Sequence, residues 1–220
     1  MRTTFLFFFL ILSLSNLPAQ KKYFDVGANA GLSYYLGDIN PSRQFYRQSP
    51  AFGAFARFNL NNREAIRLSF IYMSLNARDI DFMNAYQQNR NAVLSASFLE
   101  VSPTFEFHFL PYVTNKRENG FSPYIFGGLG YIAFAKTTGT INNNFSIPFG
   151  AGIKYSLSKK LGVGFEWGMR KTFEDGMDNV INPGDSNVKN PLNNNDWYSF
   201  AGFFISFRLN DSSGDCPVYR

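Results

Sequence analysis

The chain has one cysteine, Cys216, and one histidine, His108, among its 220 residues. That pair supports neither a disulfide scaffold nor a zinc site of the usual four ligands. Charge is scarce as well: Asp, Glu, Lys and Arg make up 17% of the chain. Disordered chains show the opposite balance, few aromatics and much charge. Long apolar runs are also missing. Beyond the first twenty residues no stretch approaches 18 consecutive apolar residues, which excludes helical membrane spans. A sequence pI of 9.3 would suit nucleic acid only if the basic residues clustered, and they are scattered.

Aromatics and glycine are abundant. The chain carries 26 Phe, 12 Tyr and 18 Gly, and 45% of it is hydrophobic. Mean hydropathy is nevertheless −0.18, so apolar and polar residues must be interleaved. The N-terminus is the exception. Arg2 precedes an apolar run over residues 5–14, and Leu17-Pro18-Ala19 ends on a small residue before Gln20. About 20 apolar residues are needed to span a bilayer as a helix, so this run reads as a cleaved secretory signal, residues 1–19. No cysteine follows the cut, hence no lipid anchor is expected there. Loss of Arg2 lowers the net charge from +5 to +4.

The mature chain alternates with period two, the mark of strands whose faces meet different surroundings. Eight segments carry the pattern: 23–36, 51–60, 65–75, 97–109, 122–135, 145–157, 161–171 and 196–209. The clearest sets Leu99, Val101, Pro103, Phe105, Phe107 and Phe109 against Glu100, Ser102, Thr104, Glu106 and His108. In 65–75, Ile71 and Met73 interrupt the polar face, and in 122–135 the parity is weak. Segments of this length match membrane-crossing strands of about 9–11 residues.

A soluble sandwich or lipocalin-like barrel would hide the apolar face and show charge to water. Here the polar faces are rich in Gly, Ser and Ala. Their charges nearly balance, with Asp25, Glu100, Glu106 and Glu166 against Arg57, Arg67, Lys154, Arg170 and Arg208. Small residues and matched charges suit the interior of an eight-stranded barrel, which side chains fill. The expected fold is therefore all-β, an eight-stranded antiparallel up-and-down transmembrane barrel of the outer-membrane type over residues 20–209. Tyr34, Tyr72, Tyr131 and Trp197 would form one aromatic girdle, and Phe24, Phe107, Tyr155 and Phe207 the other. Connections 37–49, 76–93, 136–144 and 174–195 are mostly long and polar. By contrast 61–64 and 158–160 are short and 110–120 is intermediate. Long connections belong outside the cell and short turns in the periplasm, which places both termini and the 210–220 tail in the periplasm.

Chemistry is sparse. Any Ser-His or Asp-His enzyme would have to use His108, which closes a descending strand and is expected to be a lumen histidine bonded to Glu106 or a neighbouring arginine. The lumen charges are expected to form a structural salt-bridge network rather than a channel. Glu174, Asp175, Asp178 and Asp185 lack EF-hand spacing and read as a solvated loop. Gly127, Gly128 and Gly130 precede no helix, so they form no nucleotide loop. No catalytic residue, metal, cofactor or small-molecule substrate is expected. In the tail, Cys216 is an unpaired cysteine in an oxidising compartment, which leaves open an intermolecular bond or a free thiol.

Several stretches resemble the PorG-like outer-membrane barrels of the type IX secretion system. They are Gly31-Leu32-Ser33-Tyr34-Tyr35-Leu36-Gly37-Asp38-Ile39-Asn40; Glu166-Trp167-Gly168-Met169-Arg170-Lys171-Thr172-Phe173 with Asp175, Asp178 and Val180; Asn195-Asp196-Trp197-Tyr198-Ser199-Phe200-Ala201-Gly202; and the terminal Cys216-Pro217. The resemblance implies a non-enzymatic barrel that associates with a periplasmic ring of a PorK-like lipoprotein and its PorN-like partner. Such a protein supports secretion of cargo, and gliding where the cell glides. Cys216, Pro217 and Tyr219 of the tail are the candidate partner-binding residues. The alternative is a general adhesion or stability barrel acting through its outer loops.

Overall fold

The computed structural model describes residues 23–37, 39–40, 43–82, 85–112, 120–135, 141–173 and 197–209. The strands are β1 (Tyr23–Leu36), β2 (Ser49–Asn59), β3 (Glu64–Arg78), β4 (Val93–His108), β5 (Phe121–Gly128), β6 (Gly130–Ala135), β7 (Ile141–Ser156), β8 (Leu161–Thr172) and β9 (Trp197–Arg208). Between β3 and β4 lie a 3-10 turn, Asp79–Asp81, and a short helix α1, Ala85–Arg90. Every pairing is antiparallel. β1 closes on β9 from Asp25↔Arg208 to Leu36↔Trp197, which leaves no open edge to be satisfied in lipid.

Nine strands make eight walls, because β5 and β6 are one wall broken at Leu129. The Leu129 amide donates to the Pro103 carbonyl at 3.1 Å, but Pro103 has no N–H to return. The register against β4 is unchanged across the break, from Gly128↔Thr104 to Tyr131↔Val101. Parity also continues: Ser122, Tyr124, Phe126, Gly130 and Ile132 face inward, and Phe121, Ile125, Leu129 and Tyr131 outward. The alternation is faint in the sequence because both faces are aromatic.

Residue pairs followed around the ring from Gly31 reach β4 at Phe98 by way of β2 and β3. By way of β9, β8, β7 and β5 they reach His108. This ten-residue stagger tilts the strands and fixes the width of the cylinder. The outward face carries Phe52, Ile66, Leu68, Phe70, Phe105, Ile153 and Phe203, all exposed, while the charges point in.

β3 and β4 run further than the alternation of the sequence predicts, and their pattern inverts on the way. Up to Tyr72 the outward residues Ile66, Leu68 and Phe70 are apolar, and the polar Arg67 and Ser69 point inward. From Ile71 on the inward residues are apolar (Ile71, Met73, Leu75 and Ala77), and beyond Tyr72 the outward ones are the polar Ser74, Asn76 and Arg78. The inward set joins Tyr35, Ile39, Ala51, Leu94, Phe98, Ile132, Tyr198 and Phe200 in a buried core. Each large apolar side chain so buried contributes roughly 1.5–3 kcal/mol. The barrel is thus lipid-facing along its middle and water-facing, with an ordinary hydrophobic core, at the end of its longer connections. Ile71 and Met73 interrupt the polar face because they belong to that second region.

The described parts of the β1–β2 and β3–β4 connections at this end are folded. Gln87 donates to the Ile39 carbonyl at 3.1 Å. Asp79 accepts both Nε and Nη2 of Arg90 at 2.7 and 2.8 Å, and the Ala92 amide at 2.9 Å. Burial alone would raise the Asp79 carboxyl, but the arginine fork and the amide outweigh it and hold the pKa below the ordinary 3.8. A carboxyl depressed in the folded state stabilises above its unfolded pKa, and the gain is lost as pH falls through the folded value. Acidification below about pH 4 is therefore expected to loosen the 79–92 connection. Asp79→Asn should loosen it at neutral pH by about 2 kcal/mol. Limited proteolysis of the connection in micelles at pH 3 and pH 7 measures both.

One girdle expectation needs correction. Tyr72, Tyr131, Tyr155 and Phe207 are exposed on the outer face, and Trp197, Phe24 and Phe107 are half-buried. Tyr34 is 0% exposed, although its parity also points outward. Gln44 and Phe45 fold down the outside of the wall and cover it. Phe45 packs on the Tyr34 ring at 4.8 Å between centroids. The Tyr34 hydroxyl donates to Gln44 Oε1 at 2.7 Å and accepts Trp167 Nε1 at 3.1 Å.

Candidate functional site

All nine charged residues assigned to the lumen from the sequence lie inside the barrel, none more than 6% exposed. Glu106 is the hub. Its carboxylate lies 3.0 Å from Arg57 Nε, 3.2 Å from Arg67 Nε and 2.5 Å from Lys154 Nζ. Arg67 Nη1 also donates to Glu166 Oε2 at 2.6 Å, and the Tyr124 hydroxyl donates to the same oxygen at 2.9 Å. A separate set surrounds Glu100, with Arg170 Nε at 3.3 Å and donors from the Tyr198 and Ser102 hydroxyls at 2.5 and 2.9 Å. Asp25 forms the third set, accepting Asn59 Nδ2 at 2.8 Å with Arg208 Nε at 3.5 Å.

Several of these ion pairs are electrostatic contacts rather than aligned hydrogen bonds. Arg57 Nε, Arg67 Nε and Arg170 Nε have no hydrogen-bond acceptor among the described protein atoms. Aromatic faces supply part of what alignment does not. Arg57 lies over Phe55 at 4.7 Å, Arg67 over Phe126 at 5.1 Å, Lys154 over Tyr124 at 4.4 Å and Arg208 over Tyr23 at 3.5 Å. Cations held against ring faces in a dry interior gain roughly 2 kcal/mol each.

His108 is a lumen histidine, as expected, with different partners. Its Nδ1 meets the Arg63 carbonyl at 3.1 Å and its Nε2 meets Lys154 Nζ at 2.6 Å, whereas Glu106 stands 3.8 Å away. The arrangement requires a neutral ring: Nδ1–H donates to the carbonyl and Nε2 accepts from the ammonium. Nothing in it resembles a nucleophile and base. Below it, Tyr112 closes the mouth at the short-turn end, its carbonyl accepting the Tyr23 hydroxyl at 2.9 Å and its amide bonded to Asn62 at 2.8 Å. Burial pushes the Tyr112 phenol up to about 12, so it stays neutral.

The sequence reading missed the aromatic lining of the lumen. Phe55, Tyr124, Phe126 and Phe204 form a buried cluster amid the charges. The signal was present in the glycines opposite. A Cβ on Gly150 would meet the Phe126 ring at 2.8 Å, and one on Gly152 the Tyr124 ring at 2.7 Å. An inward glycine marks the place where a ring from a neighbouring strand lies flat. Among the described residues no group of three or more His, Cys, Asp or Glu could hold a metal ion. Glu174, Asp175, Asp178, Asp185, Cys216, Pro217 and Tyr219 lie outside the described residues.

A closed antiparallel cylinder with hydrocarbon outward and charge inward can exist only in a bilayer, and the outer membrane is where such barrels reside. The protein is an outer-membrane β-barrel. It belongs to the family described as a domain of unknown function, DUF6089, whose model matches residues 2–218. The fold is similar to that of neisserial surface protein A, NspA, with TM-score 0.51 and 10% identity over 86% of this chain and 100% of that one. It is also similar to the N-terminal barrel domain of OprF from Pseudomonas aeruginosa, with TM-score 0.45 and 14% identity over 86% of this chain and 100% of that one. No curated protein matches the sequence significantly.

Proposed function

We propose that this chain is a non-enzymatic barrel component of the type IX protein secretion system, anchoring or assembling the periplasmic ring and supporting gliding where the cell glides. The observation that carries the reading is the filled lumen. Charges, rings and an apolar core occupy it in succession, which leaves transport without a path and moves function to the rims. The stretches that resemble PorG-like barrels supply the identity of the partner, a PorK-like lipoprotein ring with its PorN-like companion. In this reading the long connections face outward, the short turns face the periplasm, and residues 210–220 reach the ring.

Co-purification of ring components with the full chain and with a chain lacking residues 210–220 tests it. The full chain is expected to retain the ring and the truncated one to lose it. A non-reducing gel shift abolished by Cys216→Ser would add an intermolecular disulfide to the contact. If truncation changes nothing, the general adhesion or stability reading gains. One observation favours that second reading: the connections between β1 and β2 and between β3 and β4 are folded against each other and exposed.

A further inference from the structure

At the rim of the barrel, at the end of the longer connections, three arginines gather around Asp81. Arg47 Nε donates to Asp81 Oδ2 at 2.6 Å, and the Tyr46 hydroxyl donates to the same oxygen. Arg43 donates to the Asp81 carbonyl at 3.3 Å and lies over the Phe82 ring at 4.7 Å. Arg78 ends the outward column of β3 and acts on the Asp81 carboxylate electrostatically. The neighbouring Asp79 is already taken by Arg90. The carboxylate holds Arg47 directly, the Asp81 carbonyl and the Phe82 ring hold Arg43, and Arg78 stands nearby, so three positive charges against one negative leave an excess of two. All three arginines are exposed.

The position of the cluster matters as much as its charge. It lies at the rim, where Tyr46 packs against the inward core while Phe45 turns to the outer face. Gln44 and Phe45 lie against the outer wall, where Phe45 covers the outward-facing Tyr34. Phe45 is 45% exposed and Ile80 63% exposed. Further along β3 the outward column continues through Asn76 and Ser74 to Tyr72, Phe70 and Leu68 of the lipid-facing belt. Cationic forks above, apolar side chains below and a continuous path to the acyl region match a lipid carrying phosphate on its headgroup. Guanidinium forks fit phosphate oxygens bidentately.

We infer that Arg43, Arg47 and Arg78, set above Phe45 and Ile80, form a binding site for the phosphorylated headgroup of an outer-leaflet glycolipid. The inference rests on the orientation proposed above, with the long connections outside. The ledge is then a shoe that seats one headgroup against the wall, its Phe45 touching the first carbons of the acyl chains.

The test uses the full chain in phosphatidylcholine nanodiscs with bis-phosphorylated lipid A or the same lipid dephosphorylated, retention being read by native mass spectrometry. The wild type is expected to retain the phosphorylated form preferentially, and less so as salt rises. The triple variant Arg43→Gln/Arg47→Gln/Arg78→Gln should retain it at least roughly tenfold more weakly. Heat-modified gel mobility verifies folding, and Arg78→Gln alone, at a strand end, serves if the triple variant does not fold. Lys159→Gln/Lys160→Gln, at the opposite end, should change nothing. Equal retention by the arginine variants or of dephosphorylated lipid overturns the proposal, as does competition by millimolar inorganic phosphate, which would indicate a soluble anion. The orientation is tested apart from binding. An epitope placed in 43–48 that is unreachable on intact cells, with nanodisc retention intact, refutes the outer-leaflet assignment alone.

Discussion

Glu106→Gln is expected to lower the unfolding free energy by about 3–5 kcal/mol, because it leaves buried cations without their shared counter-charge. Arg57, Arg67 and Lys154 all approach this one carboxylate and all three are buried. Arg67 keeps Glu166, so the loss falls on Arg57 and Lys154. Urea titration in micelles, followed by heat-modified mobility, measures it. Lys154→Met should cost far less. Removing that ammonium leaves four cations against four anions among the nine lumen charges, and takes a donor from His108 without stranding a charge. His108→Ala should also be mild. A Glu106→Gln effect no larger than that of Lys154→Met would mean the hub is not the centre of the network. Planar-bilayer recordings should be free of steady large conductance for wild type and Glu106→Gln alike. Even a hydrated charged layer lies in series with the apolar core of Phe98, Ile132, Tyr198 and Phe200.

The second large effect belongs to a glycine. Gly150→Val should destabilise the barrel by about 3 kcal/mol, at the upper end of overpacking costs. Its Cβ would meet Gly168 Cα at 2.5 Å and the Phe126 ring at 2.8 Å. The ring cannot retreat, since the Arg67 guanidinium lies over its face at 5.1 Å. Gly127→Ala, on the outward face of the adjoining strand, is a control for backbone effects. The nearest atom to its Cβ is the Pro148 carbonyl oxygen at 3.9 Å, so a change within about 0.5 kcal/mol is expected. Comparable losses in both variants would show that glycine is needed here for backbone reasons and not to accommodate rings.

The wall count, strand directions and inward charges were legible in the sequence because lipid on one side and a narrow lumen on the other impose strict parity. Glu100, Glu106, Lys154 and Arg170 alternate with apolar residues on their strands, and period two is hard to produce otherwise. What alternation could not reveal was the change of solvent along a single strand. In β3, Leu68 and Phe70 face lipid while Leu75 and Ala77 face a protein core. Hydrophobicity alone cannot distinguish those two apolar surroundings. Nor could it place Tyr34, whose cover arrives from a loop rather than from its own strand. The break at Leu129 depends on Pro103 in a neighbouring wall, a relation visible only once the register is known.

A tube with an empty bore flattens when pushed from the side. This one has ion pairs braced across its waist and rings wedged into its far end, so it should keep a round cross-section under lateral load. The membrane would then hold something closer to a rivet than a pipe.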